Sequence, residues 1–243
     1  MSIVNIRFFS DALGKWTRYN AILPDVGKGP YRVLMQLHGL SDDEDALFER
    51  SNLVRYVGEL PLIVVLPDGG TSGYLKWKPS GRLHKQRYED LLIHDIPNHV
   101  RHHFQATDAP WAIGGLSMGG YGAVRLGLKY PQRFASVYGH SSRFLIDENY
   151  DPALVEDIDD ADPYRHAEAL AKQAQRPVIS FDCGTDDQLL EQNRRFHAHL
   201  DKLGIEHHYA EHPGAHTWDY WDEHVREALT QHAEVFGIPA DAS

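Results

Sequence analysis

The sequence predicts an α/β fold, with a mostly parallel central sheet, helices on both faces and an antiparallel hairpin near the N-terminus. Strand-type segments alternate along the chain with segments whose apolar residues recur at helical spacing, an order typical of parallel strands joined by crossover helices. Residues 62–66 are apolar at every position, as a strand covered on both faces would be.

Each expected element follows from a local pattern. Two extended segments on either side of a turn at residues 11–14 predict the hairpin within residues 6–23. Helical spacing over residues 88–104 predicts a helix that Pro97 should kink or interrupt, because proline has no amide hydrogen to donate. The other strands are expected at 31–37, 62–66, 111–116, 134–138, 177–183 and 205–210, and the other helices at 43–56, 118–130, 187–203 and 218–236.

Composition limits the classes of function. We expect residues 1–243 to form a single domain with a net charge of −11, which disfavours binding to nucleic acid or to anionic membranes. The single cysteine, Cys183, excludes an internal disulfide framework and is typical of a reducing compartment. No apolar run is long enough for a membrane helix and no export leader is recognisable, so we expect a cytoplasmic protein.

One segment interrupts the alternation of strands and helices. Residues 143–162 carry eight Asp and Glu side chains. We interpret this segment as a solvated acidic excursion. A lid over a binding site is the alternative, because long loops in compact domains are often functional.

Residues 115–119 read Gly-Leu-Ser-Met-Gly and match the G-x-S-x-G nucleophile elbow. They lie between a predicted strand and a predicted helix, as the motif requires. The serine of such an elbow has a strained backbone, and the residues two before and two after it come so close that glycine fits both places. The motif predicts Ser117 as a nucleophile. The alternative is a structural or phosphate-binding turn, although the lysine of a P-loop is missing.

A serine hydroxyl needs a base, usually histidine, that a carboxylate orients. In this type of fold the acid and then the histidine follow the serine, each in a loop after a strand. Asp186 and Asp187 follow the strand at 177–183, and spacing alone does not choose between them. The one that is not the acid is expected to cap the next helix. His216 follows the last strand and is the predicted base, with His212 as its nearest competitor.

The oxyanion that forms on attack needs two amide donors. One should be Met118, the residue after the serine. The other should come from the turn after an earlier strand, where residues 37–41 read Leu-His-Gly-Leu-Ser. The alternative for that segment is an ordinary turn that ends a strand.

Four motifs in this order resemble one branch of the α/β-hydrolases, the esterase D and S-formylglutathione hydrolase-like family. The resemblance covers about residues 6–236 and implies an α/β-hydrolase fold. The chain looks closest to the tributyrin-type carboxylesterases, because it is compact where S-formylglutathione hydrolases usually extend further. The motifs are residues 37–40 (Leu-His-Gly-Leu), 115–120 (Gly-Leu-Ser-Met-Gly-Gly), 184–190 (Gly-Thr-Asp-Asp-Gln-Leu-Leu) and 214–218 (Gly-Ala-His-Thr-Trp).

The resemblance also implies roles for single residues. The family pattern Gly-x-x-Asp selects Asp187 over Asp186, and the pattern Gly-x-His-x-Trp supports His216. The oxyanion donors of the family correspond to the backbone amides of Leu40 and Met118.

The implied activity is that of a serine carboxylesterase that hydrolyses short-chain acyl esters through an acyl-enzyme. A small-molecule ester is then the partner, and no cofactor or metal is expected. The alternatives are an S-formylglutathione hydrolase or other thioesterase, a carbohydrate acyl-esterase and, outside the enzymes, a catalytically silent binding protein with a hydrolase fold.

Several other residues have simple interpretations. Trp77 and Trp218 are candidate walls of a substrate pocket. Histidines cluster within residues 94–103 and again at His207 and His208, and we interpret them as solvated or capping residues. The sequence leaves the oligomeric state open, a homo-oligomer included.

Overall fold

In the computed structural model the described residues are 1–79, 85–144 and 153–239. Their strands are β1 (Ser2–Ser10), β2 (Lys15–Leu23), β3 (Arg32–Leu37), β4 (Leu62–Pro67), β5 (Lys76–Trp77), β6 (Gln86–Arg87), β7 (Trp111–Leu116), β8 (Phe134–His140), β9 (Val178–Gly184) and β10 (His208–His212). Their α-helices are α1 (Ala46–Arg50), α2 (Leu53–Val57), α3 (Tyr88–Asp90), α4 (Ile96–His103), α5 (Met118–Lys129), α6 (Pro163–Leu170), α7 (Leu190–Lys202) and α8 (Trp218–Phe236).

Eight of the strands form one sheet in the order β1-β2-β4-β3-β7-β8-β9-β10. β1 and β2 form an antiparallel hairpin, and β2 is also antiparallel to β4. From β4 to β10 all neighbouring strands are parallel. The predicted mostly parallel sheet with an N-terminal hairpin is therefore confirmed, and the carboxyl ends of its parallel strands share one edge.

Helices cover both faces of the sheet. On one face the apolar core includes Val124 of α5 and Phe196 of α7. On the other face Leu53 of α2 and Leu229 of α8 belong to a second core. Within the described ranges, none of the helices has both the length and the apolar character that crossing a membrane requires.

The helix predicted over 43–56 is wrong in one respect, because two short helices, α1 and α2, replace it. The break falls at Ser51 and Asn52. The Ser51 hydroxyl donates to the Leu47 carbonyl, 2.5 Å away, and the backbone and side-chain nitrogens of Asn52 donate to Asp222 of α8 at 2.6 and 2.7 Å. These side-chain bonds replace helical backbone bonds.

The interruption predicted at Pro97 is confirmed. A single π-helical turn, Leu91–Asp95, joins α3 to α4, and Pro97 lies in the first turn of α4. Because Pro97 has no N–H, it cannot donate to the carbonyl of Ile93 four residues earlier. The Arg133 guanidinium donates to that carbonyl instead, at 2.8 Å.

A buried ion-pair cluster joins α3 to α5. The Glu89 carboxylate accepts hydrogen bonds from Arg125 and Lys129, each at 2.6 Å, and from the Tyr130 hydroxyl at 2.7 Å. The Arg125 side chain is fully buried. Burial alone would raise the pKa of Glu89, but Arg125 and the other donors hold it well below its usual range.

The same cluster anchors the second part of the predicted acidic excursion. Lys129 also pairs with Asp160, and Arg125 donates to the Asp160 carbonyl at 3.1 Å. Nearby, Val155 forms an antiparallel bridge with Trp77 of β5. The remaining stretch of the excursion, 145–152, lies outside the described residues, and the interpretation of 143–162 as a lid stays a prediction.

Replacing Arg125 with methionine should lower the free energy of unfolding by about 3–5 kcal/mol, because it removes one partner of a buried ion pair. Urea denaturation of the variant and of the wild type measures this. The double variant Arg125→Met, Glu89→Gln is the control, and it should recover part of the loss because the buried charge is gone.

The loss of unfolding free energy in Arg125→Met should also depend on pH. Since the pKa of Glu89 is lower in the folded chain than in the unfolded chain, the pair stabilises the fold at neutral pH. This contribution is lost as the pH falls below the ordinary carboxyl pKa of about 4.3 toward the lower folded value. The stability gap between wild type and Arg125→Met should therefore narrow in acid, and a gap that is the same at pH 7 and pH 3 would contradict the assignment.

Candidate active site

Three side chains from the carboxyl edge of the sheet form one continuous hydrogen-bond chain. Ser117 follows β7, Asp187 follows β9 and His216 follows β10. The Ser117 Oγ lies 2.9 Å from the Nε2 of His216, and the Nδ1 of His216 lies 2.8 Å from the Oδ2 of Asp187. The structure thus brings together the three residues that the sequence predicted as nucleophile, acid and base.

The backbone of Ser117 is strained as an elbow requires, with φ of 55° and ψ of −114°. A side-chain carbon on Gly115 would lie 2.3 Å from the carbonyl oxygen of Gly119, and one on Gly119 would lie 2.3 Å from the carbonyl oxygen of Leu37. Only glycine fits such contacts with backbone atoms. The turn therefore depends on both glycines of the motif, and α5 starts directly behind the serine.

Asp187 is held so that one oxygen faces His216. Its Oδ1 accepts the backbone N–H of Leu189 at 2.8 Å, and its side chain is fully buried. Burial opposes ionisation, but the hydrogen bonds from His216 and the Leu189 amide outweigh it and lower the pKa of Asp187. The carboxylate is therefore charged at neutral pH.

Asp186 does not have the capping role that we predicted for it. Its side chain is exposed, and the residue at the N-cap position of α7 is Leu189. The helix begins later than residue 187 because Asp187 itself binds the Leu189 amide in the turn before it. The backbone N–H of Asp186 instead donates to the Gly214 carbonyl at 2.8 Å, which ties the acid loop to the histidine loop.

The loop that carries His216 packs tightly against the loop that carries the acid. A side-chain carbon on Gly184 would lie 2.3 Å from the Gly214 carbonyl oxygen. The imidazole of His216 meets the Trp221 ring edge-on at a centroid distance of 4.8 Å. His212, the competing histidine, lies at the end of β10 and faces Glu227 and His224 instead of the serine.

The two predicted oxyanion donors lie beside the serine. Met118 is the first residue of α5, where a helix leaves its N–H groups without an intrahelical acceptor. Leu40 lies in the turn after β3, and both residues line the same cavity as Ser117. The turn comes close because Gly39 has no side chain: a carbon there would lie 3.7 Å from the Ser117 Cβ and only 2.9 Å from Leu116.

His38 is a residue whose side chain the sequence analysis did not use. It is buried, and its Nδ1 lies 2.7 Å from the carbonyl oxygen of Gly39, so Nδ1 carries the proton and donates. Its Nε2 accepts the backbone N–H of Gly69 at 2.9 Å. Burial lowers the pKa of His38, so the ring is neutral, as this pair of bonds requires. The bond to the Gly39 carbonyl fixes the peptide plane whose other end is the Leu40 N–H.

His38→Ala should therefore lower kcat about 10- to 100-fold with little change in KM, because a misdirected Leu40 amide weakens oxyanion binding in the transition state alone. His38→Asn should recover part of the loss, since an amide can donate to the Gly39 carbonyl. Steady-state kinetics on a p-nitrophenyl ester measures both. A rise in KM at constant kcat would contradict this role.

A cavity of about 380 Å³ opens over the serine. Trp218, a predicted pocket wall, lines it, and Arg50 lies over the Trp218 ring at 5.8 Å. The other lining residues are Gly39, Leu40, Ser41, Asp42, Ser117, Met118, Arg143, Gln188, Leu189, His216, Thr217 and Trp221. The walls are thus mixed polar and apolar, and the space is small.

Trp77, the other predicted wall, lies elsewhere. Its ring packs against a separate cluster with Leu75, Tyr121 and Val155, and its indole N–H donates to the Ser72 carbonyl at 2.8 Å. It is not among the described residues that line the cavity. Short-range sequence pattern could not reveal this, because the packing partner Val155 comes from the distant acidic excursion.

A second acid–histidine pair lies behind the site. Asp182 of β9 is fully buried and accepts from the His140 Nδ1 at 2.7 Å and from the Tyr220 hydroxyl at 2.8 Å. Tyr220 belongs to the first turn of α8, directly after the His216 loop. Asp182 therefore anchors the start of that helix. Cys183, next to it, is buried, and burial raises the pKa of its thiol, so it is no nucleophile.

Among the described residues, two groups of three side chains are spaced as metal ligands are: His197, Asp201 and His207, and His212, His224 and Glu227. None of the six lines the cavity over Ser117. The hydrogen-bond chain over the elbow is instead the arrangement that activates a serine for attack on a carbonyl carbon.

Comparison with known proteins agrees with this chemistry. A family model described as "Putative esterase" matches residues 10–232. The acetyl esterase of Caldicellulosiruptor saccharolyticus is 28% identical, over 97% of this chain and 99% of that protein. The substrate-bound structure of the Staphylococcus aureus fluorophosphonate-binding serine hydrolase F is 25% identical with a TM-score of 0.83, covering 95% of this chain and 98% of that one. An S-formylglutathione hydrolase from Agrobacterium tumefaciens has the same fold, with 22% identity, a TM-score of 0.85 and coverage of 96% and 94%.

Proposed function

Because this chain belongs to the putative esterase family and is a serine esterase, we propose that Ser117 is its nucleophile, His216 its general base and Asp187 the acid that orients the base. The observation that supports this assignment is the unbroken hydrogen-bond chain from Asp187 through His216 to Ser117. The backbone amides of Leu40 and Met118 are proposed as the oxyanion donors.

Acylation then proceeds in two steps. The Ser117 Oγ forms a bond to the ester carbonyl carbon while its proton passes to the His216 Nε2, and the carbonyl oxygen becomes an oxyanion between the two amides. When the tetrahedral intermediate collapses, the bond to the alcohol oxygen breaks and the Nε2 proton goes to that oxygen. Asp187 stabilises the imidazolium through its bond to Nδ1 and stays ionised.

Deacylation repeats the sequence with water. His216 takes a proton from a water molecule, whose oxygen attacks the acyl-enzyme carbonyl. Collapse of this second intermediate breaks the bond to the Ser117 Oγ, which regains its proton from Nε2. The products are a carboxylic acid, an alcohol and the free enzyme.

We propose esters with short acyl chains as the substrates. The cavity of about 380 Å³ is at the small end of the range for ligand sites. Its walls carry Arg50, Asp42 and Arg143, and a long alkyl chain would have to desolvate these polar groups. The 28% identical relative is named an acetyl esterase, which agrees with a small acyl group.

Activity should peak at acetate to butyrate and fall by at least about tenfold at octanoate. Each added methylene that lies against the polar walls gains little of the usual burial energy of about 0.8 kcal/mol, and it removes water from Arg50, Asp42 or Arg143. Hydrolysis of a p-nitrophenyl ester series by purified enzyme measures this, with Ser117→Ala as the control for background. A maximum at octanoate would contradict the proposed substrate class. Formyl and acetyl thioesters tested in parallel separate an esterase from a thioesterase.

A further inference from the structure

Two histidines and an aspartate meet on the surface near the amino end of β10. His197 and Asp201 are one turn apart on α7, and His207 lies in the connection from α7 to β10. The His197 Nδ1 lies 2.8 Å from the His207 Nε2, the His197 Nε2 lies 3.4 Å from Asp201 Oδ2, and the His207 Nε2 lies 4.0 Å from Asp201 Oδ1. The family reaction uses none of these residues.

His207 is oriented as metal-binding histidines usually are. Its Nδ1 lies 2.8 Å from the backbone carbonyl oxygen of Ile205, to which it can only donate. The His207 Nε2 therefore faces His197 and Asp201, in the orientation that a backbone carbonyl gives to a metal-binding imidazole. The ring is only 2% exposed and lies parallel to the Phe181 ring at 5.8 Å, so this orientation is built into the fold.

The ligand atoms of the three side chains lie close enough together to face one ion. Two imidazoles and one carboxylate are a ligand set that suits a divalent transition metal better than Ca²⁺ or Mg²⁺.

We propose that His197, Asp201 and His207 bind a divalent transition-metal ion of the Zn²⁺ type. Two ligand atoms that are each about 2 Å from a tetrahedral Zn²⁺ ion lie roughly 3.3 Å apart. The His207 Nε2 and Asp201 Oδ1 are 4.0 Å apart, so the exposed Asp201 side chain has to move by less than about 1 Å to bind the same ion. His197 is 37% exposed, so its ring can move aside by the fraction of an ångström that an ion needs. Water completes the coordination on the open side.

The second group of three, His212, His224 and Glu227, is a poorer site. Its two imidazoles stack at 4.2 Å with only 20° between their planes, so their electron pairs run side by side instead of converging. The His197 and His207 rings are inclined at 63°. The second group therefore serves as the internal comparison for the proposal.

The proposed metal site should affect stability and not catalysis. It lies at the amino end of β10, whereas His216 follows the carboxyl end of the same strand. An ion there would fasten α7 to the chain segment that leads into β10. Binding should raise the melting temperature of the folded protein and leave ester hydrolysis unchanged.

The test is titration of chelator-treated enzyme with Zn²⁺ by calorimetry, and with Co²⁺ by absorption spectroscopy. We expect one ion per chain in the wild type. Asp201→Asn and His207→Phe should each bind at least tenfold more weakly and lose the Zn²⁺-dependent rise in melting temperature. His208→Ala, at an exposed neighbouring position, and His224→Gln, in the second group, are the controls and should bind as the wild type does.

His207→Phe keeps the ring contact with Phe181. Asp201 is 61% exposed, so at least Asp201→Asn should retain the fold. Binding of equal affinity in the wild type and Asp201→Asn would overturn the proposal. So would absence of binding to the wild type at millimolar Zn²⁺, or loss of the bound ion in His224→Gln alone.

Discussion

Replacing Ser117 or His216 with alanine should lower kcat for a short-chain ester about 10⁴- to 10⁶-fold. Without the serine no acyl-enzyme forms, and without the histidine nothing accepts the proton from Oγ, which lies 2.9 Å from Nε2 in the wild type. The double variant should be no worse than either single variant, because the two residues act as one unit. Turnover of p-nitrophenyl acetate measures all three.

The stability of these variants separates loss of chemistry from loss of structure. Ser117→Ala should unfold at a urea concentration close to that of the wild type, since only one oxygen is removed. A fluorophosphonate probe should label the wild type and not Ser117→Ala. Activity of His216→Ala within tenfold of the wild type would contradict the assignment of the base, and His212 would then be the next residue to replace.

Asp187→Asn should lower kcat about 10⁴-fold, although the side chain keeps its size and its place. Asp187 Oδ1 accepts the Leu189 N–H, so the carbonyl oxygen of the new asparagine should stay there and its NH₂ group should face His216. The His216 Nδ1 then has to accept, and its proton moves to Nε2. An Nε2–H group points at the Ser117 hydroxyl and cannot take its proton.

The neighbouring residue provides a matched control for this prediction. Asp186→Asn makes the same chemical change one position away, at an exposed side chain, and kcat should stay within about twofold of the wild type. A large loss in Asp186→Asn together with a small loss in Asp187→Asn would reverse the choice of the acid.

The regular part of the fold could be predicted because its signals are local. Residues 111–116 are expected as a strand and form β7, since an apolar run before a glycine-rich turn needs no distant partner to be recognised. The prediction of a single helix over 43–56 is wrong because the signal for its break is not local. Its break depends on Asp222, which is 170 residues away from Asn52 in the sequence.

The spacing of residues along the chain could not decide whether Asp186 or Asp187 is the acid. Neighbouring residues in a turn point in different directions, and a one-residue shift changes which side chain is buried. The family pattern favoured Asp187, and the structure shows that the difference lies in the Leu189 amide that Asp187 binds and in the exposure of Asp186.

The roles of His38 and His207 could not be predicted from the sequence for a further reason. Both residues act through ring orientation, which depends on the backbone carbonyl that each Nδ1 meets, Gly39 in one case and Ile205 in the other. Sequence position indicates only that His38 follows a strand, at the edge of the sheet where sites form.

Because His216 follows β10 in the sequence, the order of synthesis determines when the chain can gain esterase activity. β10 is the last strand along the described chain and an outer strand of the sheet, paired only with β9 among the described strands. During synthesis Ser117 therefore leaves the ribosome before His216, which lies 99 residues later in the chain. A nascent chain that has the proposed nucleophile but lacks the proposed base should not hydrolyse esters. Ester turnover by stalled chains of increasing length would then rise in one step, when β10 docks.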